Sequence, residues 1–556
     1  MVRVPWRARL RYWRRRAGVV FARASAPHGR RRRWVLVVGL LAIVLWQLSF
    51  TVAGAKVDTK YQNTAASGIH NDSNFVYFYW YAGLFPVVST RAVGVCHNGF
   101  CPQAHESQAP ADLTREAARD LIRTQPKTLQ MDLGWTWFPG DRGKIWLYMF
   151  DAWLKDAPWR PSLFASSRLG FIVALCALFA AFWNVRRPWL GAALTLLVGS
   201  HPFQLYEVHR NDNVFGWTVT VATIVLALHV PLLTARRPTV RQAFVRALVT
   251  GALIGAIRLI RSEPAAIAVA PLLLYAGLTF ARELAGRKLW LTRGALVATL
   301  LAAYVATNGA GVRYLSYKHE QARAYLARVG GHPFPGPVRM FHDFWHPVFI
   351  GLGDFDTKNG HRWEDTSALI YAAPILVARG IKVPTPFLAE EDVGQLEPGN
   401  YFDDAHVYKR IPYGMEEYAD VVRDKVISEI REDPMWYAGI LYHRVKRTLS
   451  ETNPVRISMP FGWATIPQIN GLWLLPAVLT FLFARARFFL RMALFTLPTS
   501  ATAIAIYSGG GLEGHGIAHL VLTAELCAVA VVVGKLVWRR CRTLLRARVE
   551  VDSQPS

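Results

Sequence analysis

Apolar residues in this chain are gathered into long runs separated by polar and charged segments. Each run is about 20 residues long, the length that an α-helix needs to cross about 30 Å of hydrocarbon. The pattern predicts an all-α polytopic membrane protein with about ten transmembrane helices and two large external loops. The predicted spans are residues 34–53, 166–185, 188–205, 214–235, 244–260, 264–281, 294–311, 470–484, 490–507 and 517–537.

Basic residues lie beside these runs. The chain has 64 Lys and Arg against 38 Asp and Glu, a formal charge of +26, and its first 33 residues hold twelve Arg and no acid. Lys and Arg next to a span resist translocation, so the clusters mark the cytoplasmic side and place both chain ends there. This placement argues against a nucleic-acid interface. Further clusters border the runs at 186–187, 236–246, 282–293, 485–491 and 539–548.

Counting spans from a cytoplasmic start divides the chain into membrane and external parts. The first apolar run is longer than the core of a cleaved signal peptide, so we interpret it as a retained signal anchor. The predicted parts are a basic cytoplasmic tail (1–33), the first span (34–53), a first external loop (54–165), spans two to seven (166–311), a second large external loop (312–468), spans eight to ten (469–537) and a cytoplasmic tail (538–556).

Two cysteines, Cys96 and Cys101, lie five residues apart in the first external loop. In an oxidising compartment such a pair can close a small disulfide loop. Neighbouring His97 and His105 leave a zinc site open as an alternative, because zinc needs further ligands of this kind.

Acids near the outer ends of spans are candidates for chemistry, because an ionisable group there needs a partner or a task. Asp72 follows the first span and is suited to act as a general base or to hold a divalent ion, although Asn-Asp-Ser also suits a helix N-cap. Asp212 lies in the polar turn 207–213, where it could join Asp72 in binding Mg or Mn. The turn could instead hold a phosphate through Arg210, or Asp212 could cap the following span.

The hairpin between spans five and six carries three charges in six residues: Arg258, Arg261 and Glu263. The two arginines are three residues apart and therefore share a helix face. A guanidinium pair on a cavity wall suits a phosphate group, which it can bind through paired hydrogen bonds. The alternative is an internal Arg–Glu pair with snorkelling side chains.

The segment 341–356 of the second large loop mixes aromatic, His and acidic residues, among them His346 and Asp354. Aromatic faces beside carboxylates suit a carbohydrate, whose C–H faces stack on rings and whose hydroxyl groups need acceptors. The same composition suits a loop resting on a membrane surface. Helical spacing follows at 415–430 and 434–449, and an earlier stretch of this kind lies at 113–124 in the first loop.

Motifs of several common functions are absent from the sequence. It has no phosphate-binding loop with the G-x-x-x-x-G-K-[ST] pattern, no G-x-S-x-G serine elbow and no H-E-x-x-H zinc motif. It also shows no internal repeat, which argues against a transporter built from inverted halves.

The layout of spans and loops resembles the GT-C superfamily of integral membrane glycosyltransferases, within it the branch of protein-O-mannosyltransferases and aminoarabinose transferases. Those proteins similarly have a long external loop after span one and another after span seven. The resemblance implies that Asp72 is the catalytic carboxylate of the first loop, and Asp212 matches the acidic motif between spans three and four. Asn71 stands where the family has a second adjacent acid. The segment from Trp345 to Asp365 also looks like bacterial members of this group.

This resemblance implies a sugar donor carried on a polyprenyl phosphate and an inverting displacement at the outer face of a bacterial plasma membrane. Asp72 would accept the proton of the acceptor, while Arg258 or Arg261 would neutralise the leaving phosphate. Glu263, His346 and Asp354 are the further expected substrate-binding residues. Two alternatives stay open: a transporter or flippase of a lipid-linked or small substrate, and a catalytically silent relative that acts as a scaffold in envelope assembly.

Overall fold

The structure is a computed structural model, in which most of the described residues are helical. It describes residues 30–52, 78–89, 115–131, 143–155, 163–199, 205, 208, 216–234, 239–261, 267–277, 286–331, 333, 345–362, 365–380, 416–450, 455–459 and 462–466. The helices are α1 (Arg30–Val52), α2 (Arg115–Thr124), α3 (Lys144–Lys155), α4 (Phe164–Asn184), α5 (Pro188–Gly199), α6 (Gly216–Thr234), α7 (Val240–Arg258), α8 (Val269–Gly277), α9 (Gly286–Val329), α10 (Trp345–Leu352), α11 (Asp365–Ala378), α12 (Glu416–Glu432) and α13 (Pro434–Ser450).

Three of the described helices are long and apolar enough to cross a membrane: Ala165–Asn184, Val240–Arg258 and Gly286–Val329. Two further apolar helices, Arg33–Ser49 and Thr220–Leu233, are shorter. The prediction of a helical membrane protein is therefore confirmed in outline. Predicted spans eight to ten lie outside the described residues.

Two short antiparallel pairs of strands accompany the helices. Strand β1 (Val87–Ser89) pairs with β2 (Leu129–Met131), and Val87 lies opposite Met131. Strand β3 (Val455–Met459) pairs with β4 (Gly462–Ile466), and Val455 lies opposite Ile466. The first pair joins two distant parts of the first predicted loop.

Among the described helices, α7 and α9 form the most extensive contact, and they run parallel. A Cβ atom at Gly251 would collide with the carbonyl oxygen of Leu300, and one at Gly255 would lie 2.6 Å from that of Tyr304. The point of contact thus moves four residues forward on α9 when it moves four residues forward on α7, which means that the two helices run in the same direction. Small residues spaced four apart let two backbones approach this closely, as is common between membrane helices.

A buried histidine joins α6 to α8. His229 Nδ1 lies 2.7 Å from the carbonyl oxygen of Val225, which can only accept, so Nδ1 donates the proton. In the neutral ring Nε2 then accepts from the Tyr275 hydroxyl at 2.7 Å. Both side chains are fully buried. The polar atoms of His229 are thereby satisfied inside an otherwise apolar bundle.

Residues 78–89 and α3, here called the loop-one cap, pack on one end of this bundle. Gly143, directly before α3, donates a backbone hydrogen bond to the carbonyl of Leu259 at 2.7 Å, directly after α7 ends. A buried apolar cluster joins the cap to α6, α7 and α9; it includes Phe85, Ile145, Tyr148, Val221, Val225, Ile254, Ile257 and Leu315.

Helices α10 to α13 share a second apolar core, here called the loop-two unit. Val348, Leu376, Tyr418, Val426 and Ile440 are buried in it. The helices predicted at 415–430 and 434–449 are confirmed as α12 and α13. Helix α13 buries one side in this core, so it is a packed helix of a folded unit rather than one whose apolar face lies only against lipid.

Candidate functional site

The predicted arginine pair lies where α7 ends. The helix finishes at Arg258, and the amide of Arg261 still bonds to the carbonyl of Ile257 at 2.8 Å, which folds the chain into a tight turn. Arg261 is only 6% exposed and Arg258 is partly buried. The apolar residues Ile257, Leu259 and Ile260 around them belong to the cluster that also holds the loop-one cap.

Tyr304 of α9 is one partner of Arg258. Arg258 Nη1 donates a hydrogen bond to the Tyr304 hydroxyl, and the guanidinium carbon lies 5.8 Å from the centre of the tyrosine ring. One turn further along α9, Asn308 is 9% exposed, and its Oδ1 accepts no hydrogen bond from the described residues. A buried amide oxygen without a partner normally takes a water or a ligand.

Further along α9, where the loop-one cap packs on it, lie Lys318 and Tyr314 of α9 and Tyr79 of the cap. Lys318 Nζ lies 3.5 Å from the carbonyl oxygen of Gly83 and 5.8 Å from the ring centre of Tyr79. The hydroxyl groups of Tyr79 and Tyr314 lie 2.6 Å apart. Burial, followed by this hydrogen bond, raises the pKa of Tyr79, so the phenol stays neutral.

At the end of α7, the described residues place two guanidinium groups and the Tyr304 hydroxyl beside the apolar residues of the buried cluster. Guanidinium groups are weakly hydrated and offer planar pairs of donors, which match the oxygens of a phosphate. Low polarity around them strengthens the attraction of an anion. The end of α7 is therefore the described place best suited to bind a phosphate group next to an apolar chain.

Asp151 of α3 is an acid that the sequence analysis missed. It is fully buried and lies between Tyr148 and Ala152, both members of the same apolar cluster. The available signal was a single acid inside an otherwise apolar helical stretch. Because the side chain is enclosed by packing, its position is that of a structural carboxylate rather than of a group facing a substrate.

His346 and Asp354 lie in the loop-two unit, in a different core from the arginine pair. His346 is 2% exposed, and its Nδ1 lies 2.6 Å from the Tyr418 hydroxyl. Asp354 Oδ2 lies 3.5 Å from Nε of Arg444, and both side chains are buried. Arg444 also donates to the carbonyl of Gly351. These contacts tie α10 to α12 and α13, and they favour structural roles over sugar binding.

The sequence analysis also missed a buried group of charged and polar residues in the loop-two unit, centred on Glu429. His361 Nε2 lies 2.6 Å from Glu429 Oε2, with 3% and 6% of the two side chains exposed. Lys425 Nζ lies 2.8 Å from the other carboxylate oxygen of Glu429. The His361 ring is also stacked on Trp436. Only the fold brings these distant positions together, so no local pattern could have found them.

Several predicted site residues lie outside the described residues: Asp72, Asp212, Glu263, Cys96 and Cys101. The disulfide and the divalent ion at Asp72 and Asp212 therefore stay predictions. Within the described ranges, no three His, Cys, Asp or Glu side chains cluster in a way that could hold a metal.

Comparison with known proteins gives no relative for this chain. No family model, no curated protein and no solved structure matches it.

Proposed function

We propose that this chain is a membrane glycosyltransferase that moves a sugar from a polyprenyl-phosphate donor to an envelope glycan, lipid or protein acceptor. The observation that carries the proposal is the placement of Arg258 and the buried Arg261 at one end of an apolar helix bundle. A lipid-linked phosphate needs cations for its charge and apolar surface for its chain, and both are present here.

In the proposed reaction, the acceptor hydroxyl oxygen attacks the anomeric carbon of the sugar. The bond from that carbon to the phosphate oxygen breaks, and the polyprenyl phosphate leaves with the electron pair. Asp72 accepts the proton of the hydroxyl, while the guanidinium groups of Arg258 and Arg261 stabilise the charge that develops on the phosphate. A divalent ion held by Asp72 and Asp212 would add to that stabilisation.

The proposed function includes a specific number of spans and a specific orientation in the membrane. The chain would cross a bacterial plasma membrane about ten times, with both ends in the cytoplasm and the two large loops outside. The parallel packing of α7 and α9 supports this order, because spans five and seven are expected to cross in the same direction. The basic residues Arg287 and Lys288 at the start of α9 support a cytoplasmic position for that end.

The test uses the full-length protein in lipid nanodiscs with a polyprenyl phosphate bearing a radiolabelled sugar. Asp72→Asn should abolish transfer to membrane acceptors because it removes the proton acceptor, while the donor still binds through the phosphate contacts of Arg258 and Arg261. Arg261→Gln should weaken binding of unglycosylated polyprenyl phosphate by about tenfold or more, since one charge-assisted hydrogen bond contributes about 1.5–3 kcal/mol. Arg241→Gln, at the exposed opposite end of α7, is the matched control and should change neither.

Two outcomes would overturn the enzymatic proposal. Movement of the labelled lipid across a sealed membrane without a covalent product would identify a transporter or flippase. Binding that turns over no donor with any membrane acceptor, and that is unchanged in Asp72→Asn, would identify a catalytically silent scaffold.

A further inference from the structure

Helix α3 is apolar on the side that the described residues leave uncovered. Phe150, Trp153 and Leu154 are 37%, 66% and 55% exposed, and their spacing of three and four residues puts them on one face. On the opposite side, Tyr148 and Ala152 are fully buried in the bundle. In water such a face of large apolar side chains would be unfavourable, so it is expected to have a partner.

Both ends of α3 are held at the ends of bundle helices. At its start, the Gly143 amide bonds to the Leu259 carbonyl, one residue beyond α7. At its far end, Ala152 shares the buried cluster with Leu163, the residue before α4. A helix of 12 residues is about 18 Å long, so α3 passes across the ends of the bundle helices from α7 to α4.

The charges of α9 show at which depth of a bilayer the ends of the bundle helices, and α3 across them, would lie. Residues 294–312 carry no Asp, Glu, Lys or Arg, and they rise by about 28 Å, close to the hydrocarbon thickness of a membrane. Arg293 and Arg313 bound this stretch. Next to Arg313, the Tyr314 ring lies 6.3 Å from the ring of Trp146 in α3. Helix α3 is therefore at the level where α9 leaves the hydrocarbon.

We propose that α3 is an interfacial helix whose exposed face of Phe150, Trp153 and Leu154 is immersed in the lipid leaflet at the Arg313 end of α9. Aromatic and apolar side chains at this depth bury their surface in the acyl boundary while the backbone stays in the interface. The face continues onto α4, against which α3 packs and whose Leu169 and Val173 are 48% and 52% exposed. The occupant of this surface is therefore lipid.

The test is carbene footprinting of the full-length protein in nanodiscs of phosphatidylcholine and phosphatidylglycerol that contain a diazirine phospholipid. Trypsin releases the helix as the peptide 145–155, so adducts can be assigned by mass spectrometry. We expect adducts on the exposed face and none on Tyr148 or Ala152. Val173 of α4 is the positive control, and the exposed polar helix α2 is the negative control.

A second reagent separates lipid contact from the alternatives. Hydroxyl radicals generated in the buffer should leave Trp153 unmodified, although they modify α2. Lipid adducts on Val173 together with radical damage at Trp153 would show that α3 faces water, and the proposal would be wrong. Protection of Trp153 from both reagents would mean that protein covers it, which would also overturn the proposal. Neither readout depends on glycosyltransferase activity.

Discussion

The buried carboxylate of Glu429 in α12 links His361, in the segment after α10, with Lys425 on its own helix. Burial alone raises the pKa of this group, but its hydrogen bonds with His361 and Lys425 outweigh that effect and leave the pKa below its ordinary value of 4.5. The folded unit therefore binds the proton of Glu429 less readily than the unfolded chain does. Its contribution to stability is complete above pH 4.5 and is lost as the pH falls through the lowered pKa.

We predict that α12 and α13 become less protected from hydrogen–deuterium exchange as the pH drops below about 4.5, after correction for intrinsic exchange. Glu429→Gln should lose about 1–3 kcal/mol of local stability at neutral pH, because His361 and Lys425 then lack their charged partner. The variant should also show a shallower acid dependence. Part of that dependence remains, since hydrogen bonds from the backbone at 358–361 and from Trp436 outweigh burial and lower the pKa of Asp356. Equal acid slopes in both proteins would contradict this role.

Among the elements, the contact of α7 with α9 depends on two glycines. A methyl group at Gly251 would collide with the backbone oxygen of Leu300, which cannot rotate away as a side chain can. We predict that Gly251→Ala separates the helices and costs about 1–3 kcal/mol, seen as a lower melting temperature of the protein in nanodiscs. The matched control is Gly309→Ala in α9, where no atom lies within 4 Å of the added carbon. If both variants melt alike, close packing at Gly251 is not what holds the pair together.

The hydropathy pattern located the apolar helices well, because a helix buried in lipid needs a run of apolar residues whatever the fold of the protein. The predicted spans 166–185 and 214–235 correspond to α4 and α6 within two residues. The predicted span 294–311 lies within α9, but the helix continues beyond it to Val329. Residues 312–329 are rich in Arg, Ala, Leu and Tyr, which continue a helix in water as well as in lipid. Hydropathy marks where the membrane ends, not where the helix ends.

For the molecule as a whole, the site could be predicted only in part. Arg258 and Arg261 stood out because charges are rare inside an apolar hairpin. Tyr304 and Asn308 did not, because a single tyrosine or asparagine hardly lowers the hydropathy of a long apolar run. Their importance comes from the register of α7 against α9, which depends on long-range packing that the sequence pattern does not contain.

The direction in which α9 crosses the membrane decides on which side Arg258 and Arg261 lie. Labelling the two ends of this helix measures that direction. Arg287 is exposed at its start, and the carboxylate of Glu320 is 64% exposed beyond the uncharged stretch. The 33 residues between these positions rise by about 50 Å, so a spanning helix must place them on opposite sides. In a background without native cysteines, we predict that Glu320→Cys reacts with an impermeant maleimide on intact cells, whereas Arg287→Cys reacts only after permeabilisation. The reverse pattern would move Arg258 and Arg261 to the cytoplasmic leaflet and end the proposed outer-face reaction. Labelling of both from one side would mean that α9 does not cross the membrane, and the depth assigned to α3 would fall with it.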